Sequence, residues 1–93
     1  MERAAGIEYT TWIWSEGGQY VAHAMPLDVM SSGPNPEAAR KALAEAVQLF
    51  LDTAAETGTL DEVLQECGYE LTEGQWKSPA WVCVERGFAK LAS

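Results

Sequence analysis

Residues 8–25 read EYTTWIWSEGGQYVAHAM, and this stretch decides the fold. β-Branched and aromatic side chains crowd its first half, a composition that suits an extended chain. Gly17-Gly18 interrupts the run, and QYVAHAM resumes it. Two strand-like runs joined by two glycines predict a hairpin with a two-residue loop. That loop sets a register in which Glu16 faces Gln19, Trp14 faces Val21, Ile13 faces Ala22 and Trp12 faces His23. Side chains alternate across a strand. Tyr9, Thr11, Ile13, Tyr20, Ala22 and Ala24 therefore share one face, and Trp12, Trp14, Val21, His23 and Met25 share the other. Both faces are apolar, whereas a hairpin with one wet face alternates apolar with polar. Each face needs a cover.

Downstream, Pro26-Leu27-Asp28 breaks the strand, and residues 29–33, VMSSG, read as a short third strand at an edge that Pro34 ends. A helix follows. Asn35 is a good N-cap, Pro36 suits the first helical position, and Glu37 complements the helix dipole. Ala39, Leu43, Ala46, Val47, Phe50 and Ala54 recur at helical spacing as one stripe, and Gly58 is the expected stop. Thr59-Leu60-Asp61-Glu62 has the pattern of a capping box, starting a short helix with Leu60, Val63, Leu64 and Cys67 on one side and Gly68 at its end. Residues 69–79, YELTEGQWKSP, read as a turn-rich connection. Residues 80–86, AWVCVER, read as a terminal strand, with Gly87 at a bulge or bend and residues 88–92 continuing it. The expectation is one α+β domain over residues 1–93. Its small antiparallel sheet has three N-terminal strands and a C-terminal one, with one long helix on one face and a short second helix. A single helix covers only one face of such a sheet, so the second must be covered by something else.

Composition narrows the partners. The 93 residues carry 14 Asp and Glu against 6 Lys and Arg, a formal charge of -8, and 47% are hydrophobic, an ordinary globular balance. Holding phosphates requires clustered Lys and Arg. Here only Arg40 and Lys41 are adjacent, so direct binding of nucleic acid is not expected. An acidic surface suits a basic protein, because complementary fields speed encounter; the plainer role of such charge is solubility. No apolar run approaches the length of a membrane span, and the N-terminal MERAAGIEY lacks a signal-peptide pattern, so a soluble, cytoplasmic protein is expected. Cys67 and Cys83 have no metal-ligand spacing and read as two buried thiols.

Residues 17–51, GGQYVAHAMPLDVMSSGPNPEAARKALAEAVQLFL, resemble the HicB-like antitoxin family. The resemblance lies in an ordered set: the Gly-Gly hairpin, Tyr20-Val21-Ala22, Pro26 just beyond, Ser31-Ser32-Gly33, the cap at Asn35, the helix start Glu37-Ala38-Ala39 and its apolar continuation Val47-Gln48-Leu49-Phe50-Leu51. It covers roughly residues 9–64. Asn35 stands where the family often has Thr or Asp, and Leu27-Asp28 where Glu-Leu is common. The resemblance implies a truncated ribonuclease-H-like βββα fold without nuclease carboxylates, and neutralisation of a small basic RNA-cleaving toxin. Many members add a C-terminal DNA-binding domain. Only 25 residues follow Gly68 here, so such a domain is not expected.

Catalysis is not expected. A two-metal nuclease needs three or four converging carboxylates. Glu8 and Glu16 are expected at opposite ends of one strand, Glu85 on the terminal strand and Asp28 in a loop. His23 is the single histidine and reads as an interface or partly buried residue rather than a general base. No phosphate loop is present, because Gly17-Gly18 opens no helix. No metal or other cofactor is expected. Trp and Tyr are enriched at interface hot spots, so the residues offered for a partner are Trp12, Trp14, Val21, His23 and Trp81, with Trp76 a weaker candidate. Three functions remain open: an antitoxin that captures a basic toxin and self-associates as a dimer or larger assembly, a stand-alone oligomeric interaction module, and a divergent nuclease.

Overall fold

The computed structural model describes residues 6–79 and 83–92. Strands β1 (Thr10–Glu16), β2 (Gln19–Met25) and β3 (Val29–Gly33) form an antiparallel sheet in the order β1-β2-β3. Helices α1 (Pro36–Glu56) and α2 (Leu60–Glu66) follow, and then a two-stranded sheet of β4 (Glu70–Thr72) and β5 (Gln75–Lys77). The architecture is α+β.

The β1-β2 register is the one the two-residue loop dictates, with Glu16 opposite Gln19, Trp14 opposite Val21 and Trp12 opposite His23. Gly17 and Gly18 both adopt positive φ, at 58° and 84°, as a twist-matched two-residue turn requires. The Met25–Pro26 peptide bond is cis. Asp28 also takes a positive φ, 63°, and its amide donates to the Ala24 carbonyl at 2.7 Å, returning the chain into β3.

Helix α1 lies on the face that carries Ala22 and Ala24, both fully buried, and buries Ala39, Leu43, Val47 and Ala54 from its own stripe. Leu27, Leu64 and Tyr69 complete the core. Small side chains let helix and sheet approach closely. The limit is reached at Gly33, where an added Cβ would sit 2.7 Å from the Ala39 amide nitrogen and 2.9 Å from the Ala38 carbonyl carbon. Asn35 caps the helix as expected, its Oδ1 accepting from the Ala38 amide at 2.8 Å.

Both helices end in the same way. Gly58 and Gly68 take positive φ, and the next residue's amide reaches back to the third-last helical carbonyl, Thr59 to Ala54 at 2.9 Å and Tyr69 to Leu64 at 3.0 Å. This double use of a glycine stop is a Schellman motif. It also explains why the capping box expected at Thr59 is not made. The Thr59 amide is already committed to Ala54, its hydroxyl contacts Thr57 Oγ1 and the Ala54 carbonyl, and no side-chain cap bond forms on α2.

The C-terminal third corrects the sequence reading in three places. Residues 69–79 are not a bare connection: they hold the β4-β5 hairpin, turned through Glu73 and Gly74 at positive φ. Ile7 bridges to Trp76, and Trp76 packs half-buried against the core. Among the described residues no terminal strand joins the main sheet: residues 83–92 carry no strand and are exposed, and residues 80–82 lie outside the described residues. Cys67 is half-buried, but Cys83 is an exposed thiol rather than a buried one. Its Sγ donates to Glu85 Oε2 at 2.8 Å, and that carboxylate raises its pKa. Among the described residues no helix is long and apolar enough to cross a membrane.

Candidate functional site

The face of the sheet away from α1 is the candidate site. Alternation along β1 and β2 turns Trp12, Trp14, Val21 and His23 toward it, and the β2-β3 register adds Met30 opposite His23 and Ser32 opposite Val21. Two rows thus run across the sheet, Trp12–His23–Met30 and Trp14–Val21–Ser32. The apolar members are accessible, Trp12 at 40%, Trp14 at 38% and Met30 at 58% of their full exposure. Val21 and His23 are half-buried between them.

Polar contacts position Trp14 and His23. Trp14 Nε1 donates to Glu16 Oε1 at 2.9 Å, and the Trp14 ring meets the His23 ring edge-to-face, with centroids 6.3 Å apart and planes at 89°. On its other side His23 Nε2 lies 2.6 Å from Asp28 Oδ1. An ionised carboxylate only accepts, so Nε2 carries the proton of this bond and a neutral imidazole keeps Nδ1 as an acceptor. The Asp28 turn therefore fixes the imidazole, which in turn abuts the indole. An ordered apolar surface with a carboxylate at two of its margins, Glu16 and Asp28, can receive apolar side chains at its centre and cations at its rim.

The structure brings together four of the five residues that the sequence offered: Trp12, Trp14, Val21 and His23. Trp81 lies outside the described residues. Two members were missed. Met30 follows once the period-two pattern is carried from β2 into β3, a pairing that residues 26–33 left unspecified. Asp28 had no signal at all, because its contact with His23 depends on the positive φ of the turn. Elsewhere Glu8 supplies a backbone carbonyl to Tyr69, and Glu85 bonds Cys83. Among the described residues no group of three or more His, Cys, Asp and Glu gathers as a metal site would require.

No protein-family model, curated protein or solved structure matches the chain.

Proposed function

We propose that the protein is a HicB-like antitoxin, one that neutralises a small basic RNA-cleaving toxin by direct contact rather than by catalysis. The observation that carries this reading is the open sheet face: two indoles and a methionine, each partly exposed, on a chain with a net charge of -8. Large aromatic anchors in the middle of a patch supply most of the affinity of a protein interface, and complementary charge steers the approach. The sequence resemblance over residues 9–64 supplies the identity of the partner as a toxin. Repression of its own operon by this chain alone is not part of the reading. Self-association into a dimer or larger assembly is, because residues 83–92 display further apolar side chains.

The test is co-expression with any short basic protein encoded beside it, followed by affinity capture at low salt. A stable complex that blocks RNA cleavage, and that weakens as ionic strength rises, is expected. Failure to associate at low salt sinks the antitoxin reading and leaves the stand-alone oligomeric module.

A further inference from the structure

The C-terminal arm, residues 83–92, is chemically unlike the rest of the protein. Residues 6–79 carry twelve acidic side chains against Arg40, Lys41 and Lys77, whereas the arm carries Glu85 against Arg86 and Lys90. The arm also displays Val84, Phe88 and Leu91, with Phe88 at 98% of its full exposure. Seated as an extended segment, in which alternate residues share a side, the arm would project Val84 and Phe88 together with Arg86 and Lys90. In that conformation one edge of the arm is both greasy and cationic.

The body offers a matching concavity on the side of α1 away from β1. An open groove of about 470 Å³ runs between α1 and α2, lined by Ala46, Leu49, Phe50, Thr53 and Val63 among others. Its lining is largely small or apolar, which leaves room for an inserted ring. The open sheet face, by contrast, is built of large protruding side chains. Acidic residues border the groove: by helical spacing Glu45 lies one turn before Leu49, Glu56 lies three residues after Thr53, and Glu62 and Glu66 flank Val63, all four exposed. The dimensions agree as well. Arg86 and Lys90 lie about 13 Å apart in an extended chain, and Glu45 and Glu56 about 16 Å apart along the helix axis.

We infer that the arm of one copy docks in the α1-α2 groove of a second copy, Val84 and Phe88 seated among Leu49, Phe50 and Val63, with Arg86 and Lys90 meeting the acidic rim. Exchanged reciprocally, the two arms make a two-fold dimer with both open sheet faces left for the partner. This inference rests on the self-association proposed above and gives it a surface.

Sedimentation of the full-length chain tests it with two variants, Phe88→Asp on the arm and Leu49→Asp in the groove. Both side chains are exposed within one copy, Leu49 at 68%, so neither change disturbs the fold, which circular dichroism verifies. The wild-type chain should be a dimer. Each variant should raise the dimer dissociation constant by about thirty-fold or more, as loss of an interface anchor does. An equimolar mixture should recover association, because Phe88→Asp retains an intact groove and Leu49→Asp an intact arm. A wild-type dimer indifferent to Leu49→Asp overturns the groove while leaving self-association standing; strand addition at the β1 or β3 edge would give this result. A wild-type monomer overturns both, including the case in which the arm folds onto its own groove. Neither outcome touches toxin capture, which is read on the sheet face with Trp12 and Trp14 variants.

Discussion

The two faces of the β1-β2-β3 sheet share one backbone and differ only in which alternate residues they show. Where α1 crosses it, the covered face is made of small groups, Ala22, Ala24 and Gly33, with Tyr9, Ile13, Tyr20 and Val29 packed against the same core, and α1 lies so close that Gly33 has no room for a Cβ. The open face is made of large ones, Trp12, Trp14 and Met30. The difference teaches what each face is for. Small residues make a surface that fits one helix at one distance. Large residues left partly exposed, with Trp14 bonded to Glu16 and meeting a His23 that Asp28 holds, make a surface that offers area to something outside the chain. With an indole side chain worth about 250 Å², the uncovered fraction of Trp12 and of Trp14 is about 100 Å² each, or about 2.5 kcal/mol each at about 25 cal/mol per Å². A partner that covers both gains this, less the cost of association.

The sharpest way to break the contrast is on the covered side. Leu43 is almost fully buried in the middle of α1 against Ala22 and Ala24. Leu43→Ala should cost about 2–5 kcal/mol, lost contacts and residual cavity together. Urea unfolding followed by tryptophan fluorescence measures it. A loss below about 1 kcal/mol would mean that this face is not the packed core of the protein.

Much of that covered face was legible in the sequence, because the signals were local and mutually consistent. Gly17-Gly18 sets the hairpin register, Asn35-Pro36 starts α1, Gly58 and Gly68 stop the two helices, and the Ala39–Leu43–Val47–Ala54 stripe names the buried side. The candidate face followed from the same register, apart from Met30 and Asp28. Where legibility failed, long-range competition decided. Thr59 and Glu62 spell a capping box, but the preceding helix end had already taken the Thr59 amide. Residues 69–79 hold strands of only three residues, too short for a periodic pattern, and stabilised in part by the contact of Trp76 with the core and its bridge to Ile7. Residues 83–86 have β-forming composition, yet composition names no neighbour, and none of the sheet's strands takes them as one.

A smaller effect sharpens the boundary of the covered side. Tyr69 closes it, its hydroxyl donating to the Glu8 carbonyl at 2.5 Å and so tying the segment that leads into β1 to the end of α2. Burial, reinforced by Cys67, Glu8 and Tyr9, pushes its pKa up from 10.0 to about 12. A phenol with a raised folded-state pKa holds its proton better when folded. Its contribution to stability is therefore complete below pH 10 and is lost as pH rises through 12. Tyr69→Phe should cost about 1–2 kcal/mol at neutral pH by orphaning the carbonyl, and should flatten the decline between pH 10 and 12. An unchanged alkaline profile in the variant would remove Tyr69 from this role.

A loss smaller than that of Leu43→Ala is expected on the open face, and the gap is the point. Trp12→Ser removes a large side chain, a change that in a core costs several kcal/mol. At 40% exposure, on a face that no helix covers, part of that loss disappears, and the change should stay within about 2 kcal/mol in the isolated chain, below the range expected of Leu43→Ala. The same variant should weaken capture of the basic partner by about thirty-fold or more, the loss expected of an interface anchor. Unfolding and binding measured on one preparation give the decisive pair of numbers. Were Trp12→Ser as destabilising as Leu43→Ala, the two faces would both be core, and the asymmetry from which the function is argued would be gone. A modest change in folding together with a large change in capture is the pattern that only an uncovered, partner-directed face produces.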